Sequence, residues 1–179
     1  MFNCFNYKKY IPVVSEKRNK FDLEGIKGNF YVESVYDGDT ITILIPVRLS
    51  IFNMGSSNTI DINSNNNPTG EIILNKVRVR LYGIDTPELK PKKNLPNRDE
   101  HILKANESKK FLSDLILNKI IKVSFLSNDK YGRPLVKIYT ESNSEEISIN
   151  DLMITKNYAK KYDGGTKDTN FEFIDIEIS

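Results

Sequence analysis

The stretch that decides the fold is the run KVRVRLYGIDTPE at residues 76–88. Its first six residues alternate between basic and apolar side chains, and a period of two predicts a β-strand with one apolar and one basic face. The apolar face carries Val77, Val79 and Leu81, and the basic face carries Lys76, Arg78 and Arg80. Pro87 ends regular strand pairing, so the residues after Leu81 are predicted to leave the sheet as a loop.

Two more strands are predicted before this run, at residues 29–36 and 40–45, joined by the sequence DGD. An Asp-Gly pair between two β-rich runs is a strong hairpin signal. Residues 53–70 are rich in Asn, Ser and Gly, which is the composition of a loop. Residues 71–74 are predicted to be the return strand of a long hairpin arm. The predicted insert between strands 2 and 3 therefore covers about residues 46–75.

After the run, residues 100–118 have the periodicity of an amphipathic helix. Its predicted inward residues are Ile102, Ala105, Leu112, Leu115 and Ile116. Strands are predicted at 120–126 and 135–140, and then a short helix that is capped by Ser148 or Asn150 and ends at about Lys160. This order predicts an α+β fold, a five-stranded antiparallel OB-type barrel with two or three helices.

The predicted domain organisation is one OB-type domain at 25–162, with an N-terminal extension at 1–24. Residues 163–179 are predicted to be an acidic C-terminal tail or an extra strand. The chain has 179 residues, a size that can bury a core without disulfides, and one cysteine excludes an intramolecular disulfide.

The net charge is only +2, but its distribution along the chain is uneven. Residues 76–137 hold fifteen Lys/Arg and seven Asp/Glu, and the rest of the chain holds eleven and seventeen. A basic middle favours a polyanion-binding face, and a solvated helix with strand lysines is the alternative. Neither a run of about 18 apolar residues nor the apolar core of a signal peptide is evident. We therefore expect an intracellular protein with no membrane partner.

Three carboxylates stand next to predicted strand ends. Asp39 follows the first hairpin turn, Asp85 ends the basic strand's extension, and Glu88 comes three residues later. Hard cations such as calcium prefer carboxylate, carbonyl and water oxygens, so two such aspartates and a nearby carbonyl favour a cation site. Ordinary turn chemistry is the alternative for each segment alone.

Two arginines accompany these carboxylates. Arg80 lies on the polar face of its strand, and Arg133 lies in a Gly-containing turn. Guanidinium groups suit bidentate phosphate binding and stabilise charge that develops on a phosphoryl group. Lys130 and Tyr131 are placed to add a phosphate contact and a stacking face. The alternative for all four is a solvated surface.

The blocks DGDT at 37–40, RLYGIDTPE at 80–88 and DKYGR at 129–133 occur in this order. Together they resemble the staphylococcal nuclease (thermonuclease, micrococcal nuclease) family, and the resemblance covers about residues 29–162. It implies an OB-type barrel and a calcium-dependent hydrolase acting on DNA and RNA. It also implies that Asp39, Asp85 and the carbonyl of Thr86 hold the ion, and that Glu88 is the general base.

The resemblance further implies that Arg80 and Arg133 clamp the scissile phosphate. Lys130 and Tyr131 would contact the nucleotide, and Tyr162 would pack against it. Two features depart from the family pattern. The spacing from Thr40 to Arg80 is much longer, and the chain ends in an acidic segment where the bacterial enzyme has a basic helix.

The sequence therefore predicts a metal-dependent endonuclease, with calcium as the expected ion. The resemblance implies that it cleaves DNA and RNA and leaves 3′-phosphate ends, and we expect little sequence specificity and a monomer. The alternative is a non-catalytic nuclease-like domain that serves as a nucleic-acid or protein-binding scaffold. A plain single-strand-binding module is a third possibility, although it would not need the acidic pair.

Overall fold

A computed structural model of the chain describes residues 23–49, 71–142 and 145–165. The predicted extension up to residue 22, the centre of the insert at 50–70 and the predicted C-terminal tail or extra strand from residue 166 onward lie outside the described residues. The strands are β1 (Lys27–Val35), β2 (Thr40–Leu49), β3 (Glu71–Leu81), β4 (Ile84–Asp85), β5 (Ile120–Asn128), β6 (Pro134–Ser142), β7 (Glu145–Ser148) and β8 (Lys160–Lys161). The helices are α1 (Arg98–Ile116) and α2 (Ile149–Thr155).

Five strands close into a barrel in the order β3-β2-β1-β5-β6, and β7 extends the sheet beyond β6. The ring closes where β3 pairs with β6 through Arg80 with Leu135 and Leu81 with Val136. This closing pair is parallel, whereas the other barrel pairs are antiparallel. The predicted α+β OB-type barrel is confirmed, but it is mixed, because an odd number of strands cannot alternate direction around a closed ring.

The barrel interior is filled by the apolar face of each strand. Val79 and Leu81 of β3 are fully buried, as the alternation in residues 76–81 predicts. Phe30 and Phe125 meet edge to face inside, with ring centroids 5.6 Å apart, a favoured aromatic geometry. The remaining fully buried barrel residues are Val32, Ile41, Ile43, Ile45, Val123, Val136 and Ile138.

Helix α1 packs on the barrel through one face, where Ala105, Leu112 and Ile116 are buried as predicted. Ile102 and Leu115 of the predicted stripe are only partly buried. Ser108 is buried on this face, and its hydroxyl donates to the carbonyl of Tyr158 at 2.8 Å. No helix among the described residues is both long enough and apolar enough to cross a membrane.

Helix α2 begins at one of the two predicted caps but ends earlier than predicted. Ser148 is the N-cap, and its hydroxyl accepts from the Asp151 amide at 3.2 Å. Asn150 is buried instead, and its side chain bonds to the Ile138 amide and to the carbonyls of Tyr82 and Val136. The helix ends at Thr155, not near Lys160, because Asn157 adopts a left-handed backbone with φ of 58°.

The insert begins as a two-stranded arm that continues the barrel. β2 and β3 pair without interruption from Thr40 with Arg80 to Leu49 with Glu71. The predicted return strand at 71–74 is therefore confirmed, and it merges with the basic strand into one element. The short strands β4, β7 and β8 were not predicted, because two to four residues carry no detectable periodicity.

The loop between β1 and β2 fits against α1 because residue 38 is glycine. A Cβ on Gly38 would lie 2.1 Å from the Ser108 hydroxyl and 2.8 Å from the Thr86 methyl group. The φ of Gly38 is not positive, so the glycine is required by this close approach and not by the turn. The hairpin interpretation of the DG pair predicted the turn but not this contact.

We expect Gly38→Ala to lower the free energy of unfolding by about 1–3 kcal/mol, the usual effect of overpacking. Urea unfolding followed by circular dichroism measures the change. Gly165→Ala is the matched control, because its added Cβ meets no atom within 4 Å. Adding Ser108→Ala should recover part of the loss, and equal stability of Gly38→Ala and Gly165→Ala would contradict the packing argument.

Deleting residues 53–70 should leave a folded protein. Residues 50–52 would then join Leu49 to Glu71, the last pair of the β2–β3 ladder, and three residues suffice for a hairpin connection. The change in loop-closure entropy amounts to only about 1–2 kcal/mol. Loss of cooperative thermal unfolding in the deletion variant would show that this segment belongs to the core.

Candidate active site

Four segments that are far apart in sequence line one open cleft of about 1220 Å³. They are the β1–β2 loop, the end of β3 with the loop to Lys90, the turn at 129–133, and residues 162–165. Barrel closure brings the first three together, because β3 lies between β2 and β6. The β4–β8 pair adds the fourth by joining Asp85 to Lys160.

Arg80 is the centre of the cleft wall. Its Nη1 donates to Asp39 Oδ1 at 2.7 Å, and its Nη2 donates to Asp85 Oδ1 at 2.8 Å. Nη2 also lies 3.3 Å from the carbonyl oxygen of Ile84. The three charged side chains are 11%, 3% and 7% exposed, so this is a buried network in which one guanidinium joins two carboxylates.

The charge of this network is not balanced, because one arginine faces two aspartates. Burial raises the pKa of Asp39 to about 7, and the charges of Asp37 and Asp85 add to the effect of burial. The Arg80 guanidinium and a hydrogen bond from Thr40 oppose this rise. Burial also disfavours the charged form of Arg80, but Asp39 and Asp85 outweigh it and raise the pKa of Arg80 above its usual value.

Thr86 and Glu88 follow the network on the loop after β4. Thr86 is 3% exposed, and its side chain lies against Gly38. Glu88 is exposed at the mouth of the cleft. Because Pro87 stands between them, the backbone here cannot continue the β4–β8 pairing, and both residues line the cleft.

Arg133 is held on the opposite wall by the turn at 129–133. The Asp129 carboxylate accepts from the amides of Tyr131 and Arg133 at 2.8 and 2.9 Å, and from Arg133 Nε at 2.7 Å. Burial opposes ionisation of Asp129, but the hydrogen bonds from Arg133 and Tyr131 prevail and lower its pKa. Gly132 completes the turn with φ of 81°, a conformation that glycine adopts without strain.

Aromatic rings accompany the cations of the cleft. Tyr131 is 74% exposed, with Lys130 Nζ and the Arg133 guanidinium 5.2 and 5.7 Å from its ring centroid. Tyr162 lies on the other side, where its ring centroid is 6.0 Å from the Arg80 guanidinium. The Tyr162 amide donates to the Gly83 carbonyl and its hydroxyl to the Gly165 carbonyl, which fixes the ring.

Eight of the nine residues singled out from the sequence line this cleft, and they come from all four segments. The exception is Asp85, which is buried, accepts a hydrogen bond from Arg80 and is not among the cleft-lining residues. The cleft is also lined by residues that were not singled out from the sequence, Tyr36, Tyr82, Lys90 and Lys109. Adjacency to a motif could have suggested Tyr36 and Tyr82, but nothing in the sequence places Lys109 of α1 there.

The oxygen atoms of the network are suited to a hard cation. Asp39 and Asp85 place two carboxylates around one guanidinium, and Thr86 lines the same cleft as Asp39, so carboxylate oxygens and excess negative charge coincide there. The described residues contain no group of three or more His, Cys, Asp or Glu placed to hold a metal. A cation here would need water and carbonyl oxygens to complete its ligands.

Comparison with known proteins supports the motif-based resemblance. An uncharacterized protein of Methanocaldococcus jannaschii is 29% identical over 100 residues, a match that covers 48% of this chain and 48% of that protein. The chain thus matches about half the length of that curated relative. A family model described as staphylococcal nuclease homologue matches residues 78–176, which is more than half of the chain. The matched span includes Arg80, Asp85 and Arg133 but begins after Asp39.

The fold, the cleft and the family match agree with one another. The chain belongs to the staphylococcal nuclease homologue family.

Proposed function

We propose that this chain is a divalent-cation-dependent endonuclease, with calcium as the preferred ion. It hydrolyses phosphodiester bonds of DNA and RNA with little sequence specificity and leaves 3′-phosphate ends. The observation that carries the proposal is the single cleft that gathers acidic, guanidinium and aromatic side chains from four segments. The proposed functional domain is residues 25–162, acting as a monomer.

Arg133 and Arg80 would bind the scissile phosphate from two walls of the cleft. The hydrogen bond from Arg133 to Asp129 uses Nε. A bidentate phosphate contact would therefore use the two terminal NH₂ groups of Arg133. Asp129 sets the orientation of this guanidinium before substrate arrives. Preorganised donors of this kind stabilise the charge that builds up in a five-coordinate phosphoryl transition state.

Glu88 would orient the attacking water and accept its proton, because it is a carboxylate at the cleft mouth beside the network. Asp39, Asp85 and the carbonyl of Thr86 would hold the cation. When bound, the cation supplies charge neutralisation at the phosphoryl oxygens and lowers the pKa of a bound water. The carboxylate of Asp85 already accepts a hydrogen bond from Arg80, so this role requires Arg80 to share Asp85 with the ion.

Lys130, Tyr131 and Tyr162 would hold the nucleotide next to the scissile bond. A half-exposed or exposed aromatic ring offers a face to any base, which makes binding tolerant of sequence. The surplus of Lys and Arg in residues 76–137 adds salt-sensitive attraction to the phosphate backbone. These contacts recognise neither a particular base nor a 2′-hydroxyl, so both DNA and RNA are proposed substrates.

One observation favours a second candidate, a nucleic-acid-binding domain without catalysis. Arg80 already bonds to both aspartates, so it acts as an internal counterion in the absence of a metal. In a scaffold this network would only hold the β1–β2 loop against β4. Glu88 is exposed and lines the same cleft as Arg133 and Thr86, which favours the enzyme, because an exposed carboxylate among phosphate-binding groups would weaken simple nucleic-acid binding.

Plasmid DNA and single-stranded RNA should be degraded with calcium and spared in EDTA. The Glu88→Gln/Arg133→Ala double variant should lose about 100-fold or more in kcat, because removal of one preorganised donor costs that much. Magnesium is run in parallel to establish the ion preference. Fragments from the wild type should be extended by a polymerase only after phosphatase treatment, which reports 3′-phosphate ends.

Lys110→Ala is the matched control for loss of one positive charge, because Lys110 is exposed, pairs with Asp114 and does not line the cleft. This variant should retain wild-type kcat. Salt-sensitive binding without cleavage in any cation would overturn the enzyme and leave the scaffold.

Arg80→Ala should reduce the free energy of unfolding by about 3–5 kcal/mol, because it removes the guanidinium from two buried carboxylates. Arg133→Ala is the control, since Arg133 and Asp129 are partly exposed and their pairing adds little to stability. Calcium should raise the thermal midpoint of Arg80→Ala more than that of wild type, and identical midpoints with and without calcium would contradict the proposed cation site.

A further inference from the structure

Tyr36 is an exposed aromatic residue at the edge of the cleft that none of the proposed steps uses. It follows β1 directly and lines the same cleft as Asp39 and Arg80. Its amide donates to the Thr40 carbonyl at 2.9 Å, so its backbone is fixed by the β1–β2 loop. The residue is nevertheless 52% exposed, which is a large apolar area to leave in contact with water.

Arg78 covers one face of this ring. Its guanidinium carbon lies 4.9 Å from the ring centroid of Tyr36, a cation–π distance. The pair resembles Tyr131 with Arg133 on the other wall, where the corresponding distance is 5.7 Å. The cleft therefore has an arginine-backed tyrosine at each of two edges, and one of them has no assigned role.

We propose that Tyr36 and Arg78 form a second nucleotide subsite, on the opposite side of Arg80 from Tyr131. The base of a nucleotide adjacent to the scissile phosphate stacks on the open face of Tyr36, and Arg78 contacts the phosphate of that nucleotide. This inference rests on the proposed function, because the subsite is located relative to a scissile phosphate that is bound at Arg80. It defines the preferred substrate as an oligonucleotide segment with unpaired bases on both sides of the scissile bond.

The basic face of β3 supports a backbone path from Arg80 to this subsite. Arg78 and Arg80 lie on the same face, two residues apart and thus about 6.6 Å apart along the strand. Lys76 continues the row and is 67% exposed, although it also pairs with Glu33. A row of cations spaced along an extended strand is suited to successive phosphates of an extended nucleic acid, because each phosphate then meets its own cation.

The acidic residues nearby determine which part of the nucleotide lies over the ring. Asp37 follows Tyr36 directly, lines the cleft, and accepts from the Asp39 amide at 3.1 Å. A phosphate over Tyr36 would therefore face a carboxylate, whereas a neutral base would not. The subsite is thus divided, with the base at Tyr36 and the phosphate at Arg78.

Binding is measured by fluorescence anisotropy of labelled octathymidylate and dithymidylate, with calcium, in the Glu88→Gln background so that the ligand stays intact. Tyr36→Leu should weaken octathymidylate binding about ten-fold, the usual effect of losing one stacked base, and should weaken dithymidylate binding less. Tyr36→Phe keeps the stacking face and should bind within about two-fold of the background. Arg78→Gln should weaken binding and lower the slope of log affinity against log salt by about one.

Tyr31→Leu is the matched control. Tyr31 lies in β1 and is, like Tyr36, an exposed tyrosine, at 36%, but it bonds to Asn118 and does not line the cleft. If Tyr36→Leu binds octathymidylate as well as Tyr31→Leu does, or if the background itself does not bind octathymidylate, the subsite is overturned.

The outcome for the proposed function is separate, because cleavage is measured on the wild type. Failure of the wild type to cleave with any cation, together with a ten-fold loss in Tyr36→Leu, would overturn the endonuclease and support the subsite. Normal cleavage by wild type with no binding defect in Tyr36→Leu would support the endonuclease and overturn the subsite.

Discussion

The candidate site depends on one buried ionic network, the Arg80 guanidinium between Asp39 and Asp85. It joins the β1–β2 loop, the end of β3 and the short strand β4, three segments that share no continuous secondary structure. A buried charge without a partner is very unfavourable, so none of the three segments can move without breaking the network. The same interaction that holds the loops together therefore also fixes the position of the groups proposed to act on phosphate.

The network places two carboxylates around one guanidinium, so it has one negative charge in excess. This excess charge favours the binding of a cation at the candidate site. Burial raises the pKa of Asp39 to about 7, the charges of Asp37 and Asp85 add to the rise, and the single arginine opposes it only in part. A hard cation among oxygen donors would supply the missing positive charge, which is the physical reason to propose one here. The opposite wall is organised differently, since Asp129 holds Arg133 through a turn at the surface and leaves that side of the cleft positive.

Two further contacts hold the elements around the site in position. Gly38 lets the β1–β2 loop approach Ser108 of α1 and Thr86 within distances that no side chain would permit. Asn150 of α2 bonds to the Tyr82 carbonyl, directly after β3, and to the backbone of β6 at Val136 and Ile138. Buried polar groups need hydrogen-bond partners. The Asn150 side chain therefore holds α2 against the parallel β3–β6 pair next to the site.

The sequence by itself determined the OB-type barrel, the strand and helix order, and eight of the residues that line the cleft. These follow from local patterns, such as the alternation in residues 76–81 and the three motif blocks, because periodicity and turn residues act over a few positions. Only the tertiary structure decided the parallel closure, the coupling of Arg80 to both aspartates, and the places of Gly38, Tyr36 and Lys109. Those depend on contacts between residues up to about seventy positions apart, such as Gly38 with Ser108, and no local pattern encodes which distant side chains barrel closure brings together.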